Sequence, residues 1–187
     1  MKKKLKSSAF TLLELVFVIV VIGILSAVII PSTKTNPLRE AATQLISHIR
    51  YTQHLAMVDD RYGSSNEWYK GRWHIAFVDN KYSILSNTTY AKDTMNNGKN
   101  IQDIDLSADY HASIAFSGGC PSGDNNIIFD NMGRPMLGVL NNYTSAYKGG
   151  ATETLLLSTC IITLSSSGED DVILRIRPET GYVSVDE

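Results

Sequence analysis

The sequence contains few of the residues from which chemical sites are built. It has only two cysteines and four histidines in 187 residues, and it has no HExxH zinc motif, no phosphate-binding loop and no nucleophile elbow. These absences argue against a metalloenzyme, a nucleotide-binding enzyme and a serine hydrolase. We therefore expect a protein that is not an enzyme, with no catalytic residue, no metal and no cofactor. A composition of 43% hydrophobic and 19% charged residues also argues against a disordered or fibrous chain.

The two cysteines, Cys120 and Cys160, fit neither a zinc-ligand spacing nor a CxxC redox motif. One disulfide, formed in an oxidising compartment, is the simplest interpretation. Two unpaired buried thiols are the alternative. Closing a loop of this length would contribute roughly 3 to 4 kcal/mol in the chain-entropy model.

Charge is distributed unevenly along the chain, although the formal net charge is only -2. Four lysines stand among the first six residues: Lys2, Lys3, Lys4 and Lys6. Six carboxylates stand among the last nineteen residues: Glu169, Asp170, Asp171, Glu179, Asp186 and Glu187. We expect the basic N-terminal end and the acidic C-terminal end to face different partners.

A long apolar segment follows the lysines. Residues 15–30, LVFVIVVIGILSAVII, contain no charged residue. Counted from Phe10 to Ile30 the segment has 21 residues, which at about 1.5 Å per helical residue matches a hydrocarbon core of roughly 30 Å. The lysines favour an N-terminus in the cytoplasm. Everything after Pro31 would then lie on the other side of the membrane, where a disulfide can form.

Glu14 distinguishes three interpretations of this segment: a cleaved secretory signal, a plain single-span anchor and the precursor of a filament subunit. A secretory signal needs a small-residue cleavage site after its apolar stretch, and Ser26 and Val28 resemble such a site only loosely. An acidic residue inside the apolar stretch helps neither secretion nor anchoring. The carboxylate of Glu14 therefore argues against a conventional secretory signal.

The stretch KKKLKSSAFTLLELVFVIVVIGILSAVIIP resembles the class III leader and first helix of type IV pilins and type II secretion pseudopilins. The resemblance implies cleavage by prepilin peptidase between Ala9 and Phe10, followed by N-methylation of the new Phe10 amine. It also implies that Glu14 pairs with the N-terminal amine of a neighbouring subunit, since a carboxylate in lipid is costly unless it is paired. The chain departs from the family at one point, because Ala9 stands where glycine is usual.

The sequence predicts an α+β fold, in which a long N-terminal hydrophobic helix packs against an antiparallel β-sheet domain. Pro31 is expected to kink the helix because proline removes a backbone donor. Helical periodicity returns over residues 38–60, with these residues on the apolar side: Leu38, Ala42, Leu45, Ile49, Ala56 and Met57. The expected divisions are a leader over 1–9, a transmembrane and assembly helix over 10–30, its amphipathic continuation over 31–62 and a periplasmic β-rich domain over 63–187.

Beyond residue 70 the apolar periodicity changes to that of strands. The segments 72–78 and 82–86 predict a hairpin around a short polar turn at 79–81. Residues 87–109 are polar and predict a surface loop with at most a short strand near Ile101. Further strands are expected over 111–116, 126–129, 136–140, 154–164, 172–177 and 182–185, which are rich in β-branched residues.

Two segments, IIFDNMGRPM at 127–136 and ILRIRPETGYVSV at 173–185, resemble the FimT/GspH-like minor pseudopilins. The resemblance implies a low-abundance subunit at or near a filament tip. It also raises DNA binding, because some members bind DNA through basic residues near the C-terminus, and Arg134, Arg175 and Arg177 are the candidates here. The neighbouring carboxylates would repel phosphates. A solvated strand face is therefore the preferred interpretation of these arginines, and DNA contact is the alternative.

Two further clusters have structural interpretations. The aromatic residues Trp68, Tyr69 and Trp73 are expected to pack the junction of helix and sheet. The acidic segments 124–130 and 169–171 offer oxygen ligands for calcium but lack an ordered ligand spacing. We therefore interpret them as acidic surface turns.

Two functions from different classes compete. The first is a subunit of a type II secretion pseudopilus or type IV pilus, with other pilin subunits, prepilin peptidase and an inner-membrane assembly platform as partners. It depends on Phe10 and Glu14. The second is a periplasmic module, held by a single span, that binds a ligand or DNA and never polymerises; it should tolerate Glu14→Leu. Both functions place the chain in the bacterial inner membrane with the C-terminal domain in the periplasm. A filament subunit would then leave the membrane and enter the pseudopilus or pilus.

Overall fold

The computed structural model describes residues 11–29, 36–59, 61, 63–94, 96–120, 126–147 and 155–186. The chain divides into two compact units, Met1–Asn36 and Pro37–Glu187. The first unit contains helix α1, Leu12–Ile29. The second contains helix α2, Pro37–Val58, and an antiparallel β-sheet domain. The expected α+β class, an N-terminal helix and an antiparallel sheet domain, is confirmed.

The strands and short helices of the second unit follow α2 in the chain. Four short strands and the short helix α3, Leu106–Tyr110, lie between the first hairpin and β7. The strands are β1 His74–Val78, β2 Lys81–Ser86, β3 Thr89–Tyr90, β4 Lys92–Asp93, β5 Lys99–Asn100, β6 Ile104–Asp105, β7 Ser113–Gly118, β8 Asn126–Phe129, β9 Pro135–Leu137, β10 Cys160–Ser165, β11 Val172–Ile176 and β12 Val183–Val185. Two 3-10 turns, Trp68–Gly71 and Leu140–Asn142, complete the described elements.

Helix α2 is amphipathic and buries one face against the sheets. Pro37 is its first residue, where a missing backbone N–H is tolerated because the first turn has no intrahelical acceptors to lose. The buried residues recur at helical spacing: Leu38, Ala41, Ala42, Leu45, Ile49, Thr52 and Ala56. The predicted apolar face is therefore confirmed, with one correction. Met57 is 46% exposed, whereas Ala56 beside it in the last turn is buried in the main core.

The predicted hairpin forms between β1 and β2. Val78 pairs with Lys81, so the turn consists of Asp79 and Asn80, one residue shorter than expected. Asp79 adopts a positive φ of 54°, a conformation that Asp and Asn accept more readily than most residues. Strand β1 starts at His74 and not at residue 72 as predicted, because Arg72 follows the 3-10 turn instead of joining the ladder.

The strands form antiparallel sheets around the buried face of α2. The larger sheet has the order β3-β2-β1-β8-β9, with β6 also paired to β2, and a second sheet has the order β12-β11-β10-β7. The main core lies between these sheets and α2, and it includes the fully buried Leu45, Ile84 and Leu174. A smaller core lies on the other side of β8, around Ile128, Met136 and neighbours. Strand β8 is thus covered on both faces.

The expectation of a mostly irregular loop over 87–109 is wrong. The segment contains β3, β4, β5, β6 and α3. Its strands are two residues long and pair mainly with β2 or with each other, so no alternating apolar run marks them in the sequence. Helix α3 begins where the Asp105 carboxylate accepts hydrogen bonds from the backbone N–H groups of Ser107 and Ala108, both at 3.0 Å. The pKa of Asp105 is lowered by a hydrogen bond from the Ser107 hydroxyl, by the N-cap hydrogen bond from Ala108 and by Lys81.

The later strands are shorter or displaced relative to the predictions. Strand β7 lies two residues further along the chain than expected, and β9 ends at Leu137 before the second 3-10 turn. Strand β10 begins only at Cys160; before it, Leu155 forms an isolated bridge with Met136. The predicted strand at 126–129 is confirmed as β8. Strands β11 and β12 lie within the predicted ranges.

Candidate functional site

Glu14 lies in the first turn of α1. Its backbone N–H donates to the carbonyl of Thr11 at 3.1 Å, with the Thr11 hydroxyl at 3.3 Å. The side chains around it are apolar and exposed, with Leu12 81%, Leu13 79% and Phe17 68% accessible. A helix that is apolar on every side needs an apolar environment to cover it. The negative charge near the helix N-terminus is favourable by roughly 0.3 to 1 kcal/mol.

Within the described residues, no helix has both the length and the apolarity that crossing a membrane requires.

The predicted processing site at Ala9 and Phe10 lies outside the described residues, and so does Pro31, where the kink was expected. Residues 124 and 125 of one predicted acidic turn are also outside them. Among the described residues, no group of three or more histidine, cysteine, aspartate or glutamate side chains could hold a metal ion.

The predicted disulfide between Cys120 and Cys160 is formed, with a Cα–Cα distance of 4.3 Å. Cys160 begins β10, where it pairs with Gly118 of β7, so the bond joins two strands that are already neighbours. A Cβ on Gly118 would lie 2.6 Å from the carbonyl oxygen of Thr159, and one on Gly119 would collide with the carbonyl of Ser158. The two glycines therefore let the chain approach closely enough for the sulfurs to bond.

The three arginines proposed to contact DNA differ in their surroundings. Arg175 donates from Nε to the carboxylate of Asp186 at 2.5 Å, and this pairing raises the pKa of Arg175 and lowers the pKa of Asp186. Arg134 forms an ion pair of 2.8 Å with Asp130. Arg177 is exposed just beyond β11. Two of the three cations would have to exchange a carboxylate for a phosphate in order to bind DNA.

The aromatic residues predicted to pack the helix–sheet junction separate into different environments. Trp73 lies in the main core, and its indole Nε1 donates to the Asp59 carboxylate at 2.8 Å, just past the end of α2. Tyr69 belongs to the smaller core. Trp68 packs against the same smaller core, with the guanidinium of Arg72 over its ring. The prediction therefore holds for Trp73 but not for the other two.

Gln53 brings the two C-terminal segments together at the end of α2. Its side-chain amide donates to the carbonyl of Gly133 at 2.7 Å and to the carbonyl of Thr180 at 2.8 Å. The turns are packed so closely that a Cβ on Gly181 would lie 2.7 Å from the carbonyl oxygen of Gly133. Both glycines have positive φ, which glycine adopts without strain. The motifs at 127–136 and 173–185 thus meet as paired turns held by one helix residue.

A buried carboxylate organises the first of these turns. Asp130 is 0% exposed and accepts hydrogen bonds from the backbone N–H groups of Met132 at 3.0 Å and Arg134 at 2.8 Å. Its second oxygen accepts from Arg134 Nε at 2.8 Å and from the Tyr147 hydroxyl at 3.2 Å. Because these donors occupy both oxygens, Asp130 acts as a structural residue and not as the calcium ligand that its acidic segment suggested.

Sequence reasoning left Gln53 off the apolar side of α2 and interpreted the segment around Asp130 as an acidic surface turn. The DNMGR sequence carried a usable signal, since an aspartate three residues before glycine is typical of a turn closed by its own side chain. Nothing in the sequence marked Gln53, because its partners lie 80 and 127 residues away.

Comparison with known proteins agrees with the N-terminal helix. A protein-family model described as the prokaryotic N-terminal methylation motif matches residues 4–30, which include Glu14 and the whole of α1. No curated protein and no solved structure matches the chain. The chain therefore carries the processing motif of type IV pilin-like precursors at its N-terminus, followed by an α+β domain.

Proposed function

We propose that this chain is the precursor of a minor pilin or pseudopilin, which assembles into a type II secretion pseudopilus or a type IV pilus. The match of residues 4–30 to the N-terminal methylation motif carries the proposal. The apolar surface of α1, with Glu14 in its first turn, supports it. The separate compact unit from Pro37 onward supports a subunit that displays a globular domain outside the membrane.

In the proposed pathway, the N-terminal segment anchors the precursor in the bacterial inner membrane, with the second unit in the periplasm. Prepilin peptidase cleaves between Ala9 and Phe10 and methylates the Phe10 amine. The assembly platform then adds the subunit to the filament. The Glu14 carboxylate pairs with the N-terminal amine of a neighbouring subunit, because an apolar environment favours a carboxylate only when a cation neutralises it.

The finer assignment, a FimT/GspH-like minor pseudopilin, draws its support from the meeting of the 127–136 and 173–185 segments at Gln53. In this assignment the turns shape one end of the domain and perform no chemistry. A structural subunit with no catalytic activity follows from the proposal.

Processing is tested by expressing the full chain with prepilin peptidase, with a catalytically inactive peptidase and without either, then measuring the intact mass of the product. We expect a chain that begins with methylated Phe10 only when active peptidase is present. Retention of Met1 in all three samples would reject the proposal and favour the membrane-anchored binding module.

Assembly is tested separately with Glu14→Leu and a matched variant, Leu13→Ala, that leaves the carboxylate in place. We expect Glu14→Leu to be cleaved normally but to be absent from sheared filaments, whereas Leu13→Ala is incorporated. Incorporation of Glu14→Leu at the wild-type level would contradict the assigned role of the carboxylate.

A further inference from the structure

Arg72 is an arginine buried beneath the surface of the second unit. It follows the 3-10 turn Trp68–Gly71 and is 6% exposed. Its guanidinium contacts two aromatic rings, with Cζ 4.9 Å from the ring centroid of Trp68 and 4.9 Å from that of Tyr147. Nη1 donates to the carbonyl of Ala146 at 2.9 Å. Two aromatic rings and one carbonyl oxygen are therefore partners of the cation.

The remaining edge of the guanidinium has none. Among the described residues, neither Nε nor Nη2 of Arg72 has a hydrogen-bond partner, and both atoms are buried. Their N–H groups point in parallel from one edge of the planar group, which is the fork that binds both oxygens of a carboxylate or phosphate. Buried donors are rarely left unpaired, because each costs about 1 to 3 kcal/mol and more when the group is charged.

Among the described residues, the charges around Arg72 do not balance. Asp130 is the carboxylate that acts on both Arg72 and Arg134 within the described residues. Its oxygens already accept from Arg134, Met132 and Tyr147, so two guanidinium groups share one carboxylate. Burial lowers the pKa of Arg72, and the nearby Tyr147, Asp130 and Tyr143 oppose this only in part. A buried charge without a full counter-charge is strongly unfavourable.

We propose that Arg72 forms the centre of an anion-binding site, which holds a small oxyanion of the phosphate or carboxylate class. Nε–H and Nη2–H donate to two oxygens of the ligand, and the rings of Trp68 and Tyr147 hold the guanidinium plane in place. The bound anion supplies the second negative charge that Asp130 alone does not provide. The site goes beyond the proposed role in filament assembly and does not depend on it.

The site is tested by equilibrium urea unfolding of the full chain in detergent micelles, followed by tryptophan fluorescence. Inorganic phosphate, sulfate and acetate are titrated in turn at constant ionic strength. Once phosphate exceeds its dissociation constant, the folding equilibrium constant should rise in proportion to phosphate concentration, about 100-fold at a hundredfold excess. The acetate series shows whether the site prefers a planar carboxylate or a tetrahedral anion.

Three variants separate this site from general salt effects. Arg72→Met removes the fork and should abolish the response, whereas Arg177→Met removes an exposed arginine of equal charge and should keep it. Arg72→Lys keeps the charge without the planar fork, so it should bind the anion at least tenfold more weakly. If Arg72→Met does not fold, the comparison of Arg72→Lys with the wild type tests the proposal. No response of the wild type to any of the three anions, or an equal response in the Arg72 variants, would overturn the proposal.

Discussion

At the scale of single residues, the globular domain depends on polar side chains that link distant parts of the chain. Gln53 is half-buried, and its amide nitrogen serves two turn carbonyls at once. His48 similarly places Nδ1 2.8 Å from the hydroxyl of Tyr82, which is 1% exposed. In each case a residue of α2 is the hydrogen-bond partner of a polar group outside the helix. Its substitution should therefore lower the stability of the whole domain.

Gln53→Ala should destabilise the domain by about 1 to 3 kcal/mol, because two carbonyls next to closely packed glycines lose their donor. Gln53→Glu should destabilise it further, since a carboxylate cannot donate and would face both carbonyls. Urea unfolding measures the change. Gln102→Ala, at an exposed residue, is the control and should change stability by less than about 0.5 kcal/mol. An unchanged midpoint for Gln53→Ala would show that the two turns hold together without the helix.

Two half-buried histidines should make stability dependent on pH. Burial lowers the pKa of both His48 and His74. Because the unfolded chain binds these protons more readily, the stabilisation is complete above the unfolded value of about 6.5 and is lost as pH falls through the folded values. The free energy of unfolding should therefore decrease as pH is lowered from 7.5 to 5. His48→Gln should flatten this dependence, and exposed His54→Gln should leave it as steep as in the wild type.

At the scale of elements, α2 and the two sheets depend on each other. Helix α2 packs with the two sheets around the main core, to which it contributes the buried face that starts at Leu38. The disulfide links the residues just after β7 to the start of β10. The two cysteines are 40 residues apart in the sequence. The disulfide joins strands whose connection contains β8 and β9. The bond therefore restrains a long segment of the unfolded chain.

Removing the disulfide should lower stability by roughly 3 to 4 kcal/mol on the chain-entropy account. The double variant Cys120→Ser/Cys160→Ser and the reduced wild type should show the same shift in urea midpoint. Added reductant should not affect the double variant, which serves as its own control. Equal midpoints for the oxidised and reduced wild type, with free thiols verified by mass, would show that the bond adds no stability.

At the scale of the whole molecule, the chain divides into a unit that contains the apolar helix α1 and a unit that contains the globular domain. Every residue of both hydrophobic cores lies at or beyond Leu38. The first unit contributes an apolar helix surface and none of those core residues. The globular domain therefore has the contacts it needs in order to fold by itself.

Residues 36–187 should accordingly be soluble and monomeric, whereas the full chain should require detergent because α1 exposes apolar side chains on every side. Size-exclusion chromatography with light scattering measures both. Far-UV circular dichroism of the shorter chain should show helix and strand. Aggregation of residues 36–187 with the disulfide intact would contradict the independence of the second unit.

The features predicted correctly are those encoded within short stretches of sequence. The helical period of α2, the β1–β2 hairpin and β8 each follow from spacing over five to twenty residues. The cysteine pairing followed from number alone. The short strands of 87–109 were missed because two-residue strands carry no period, and their pairing depends on β2 being in place.

The sequence by itself determined the division into an apolar helix with Glu14 and an α+β domain, because charge and periodicity are local properties. Only the tertiary structure decided which polar side chains are buried and what they bind. Gln53 joins turns from two distant segments, and Arg72 is buried in contact with the rings of Trp68 and Tyr147. Burial and counter-charge depend on residues far apart in the chain, so they become defined only when the fold brings those residues together.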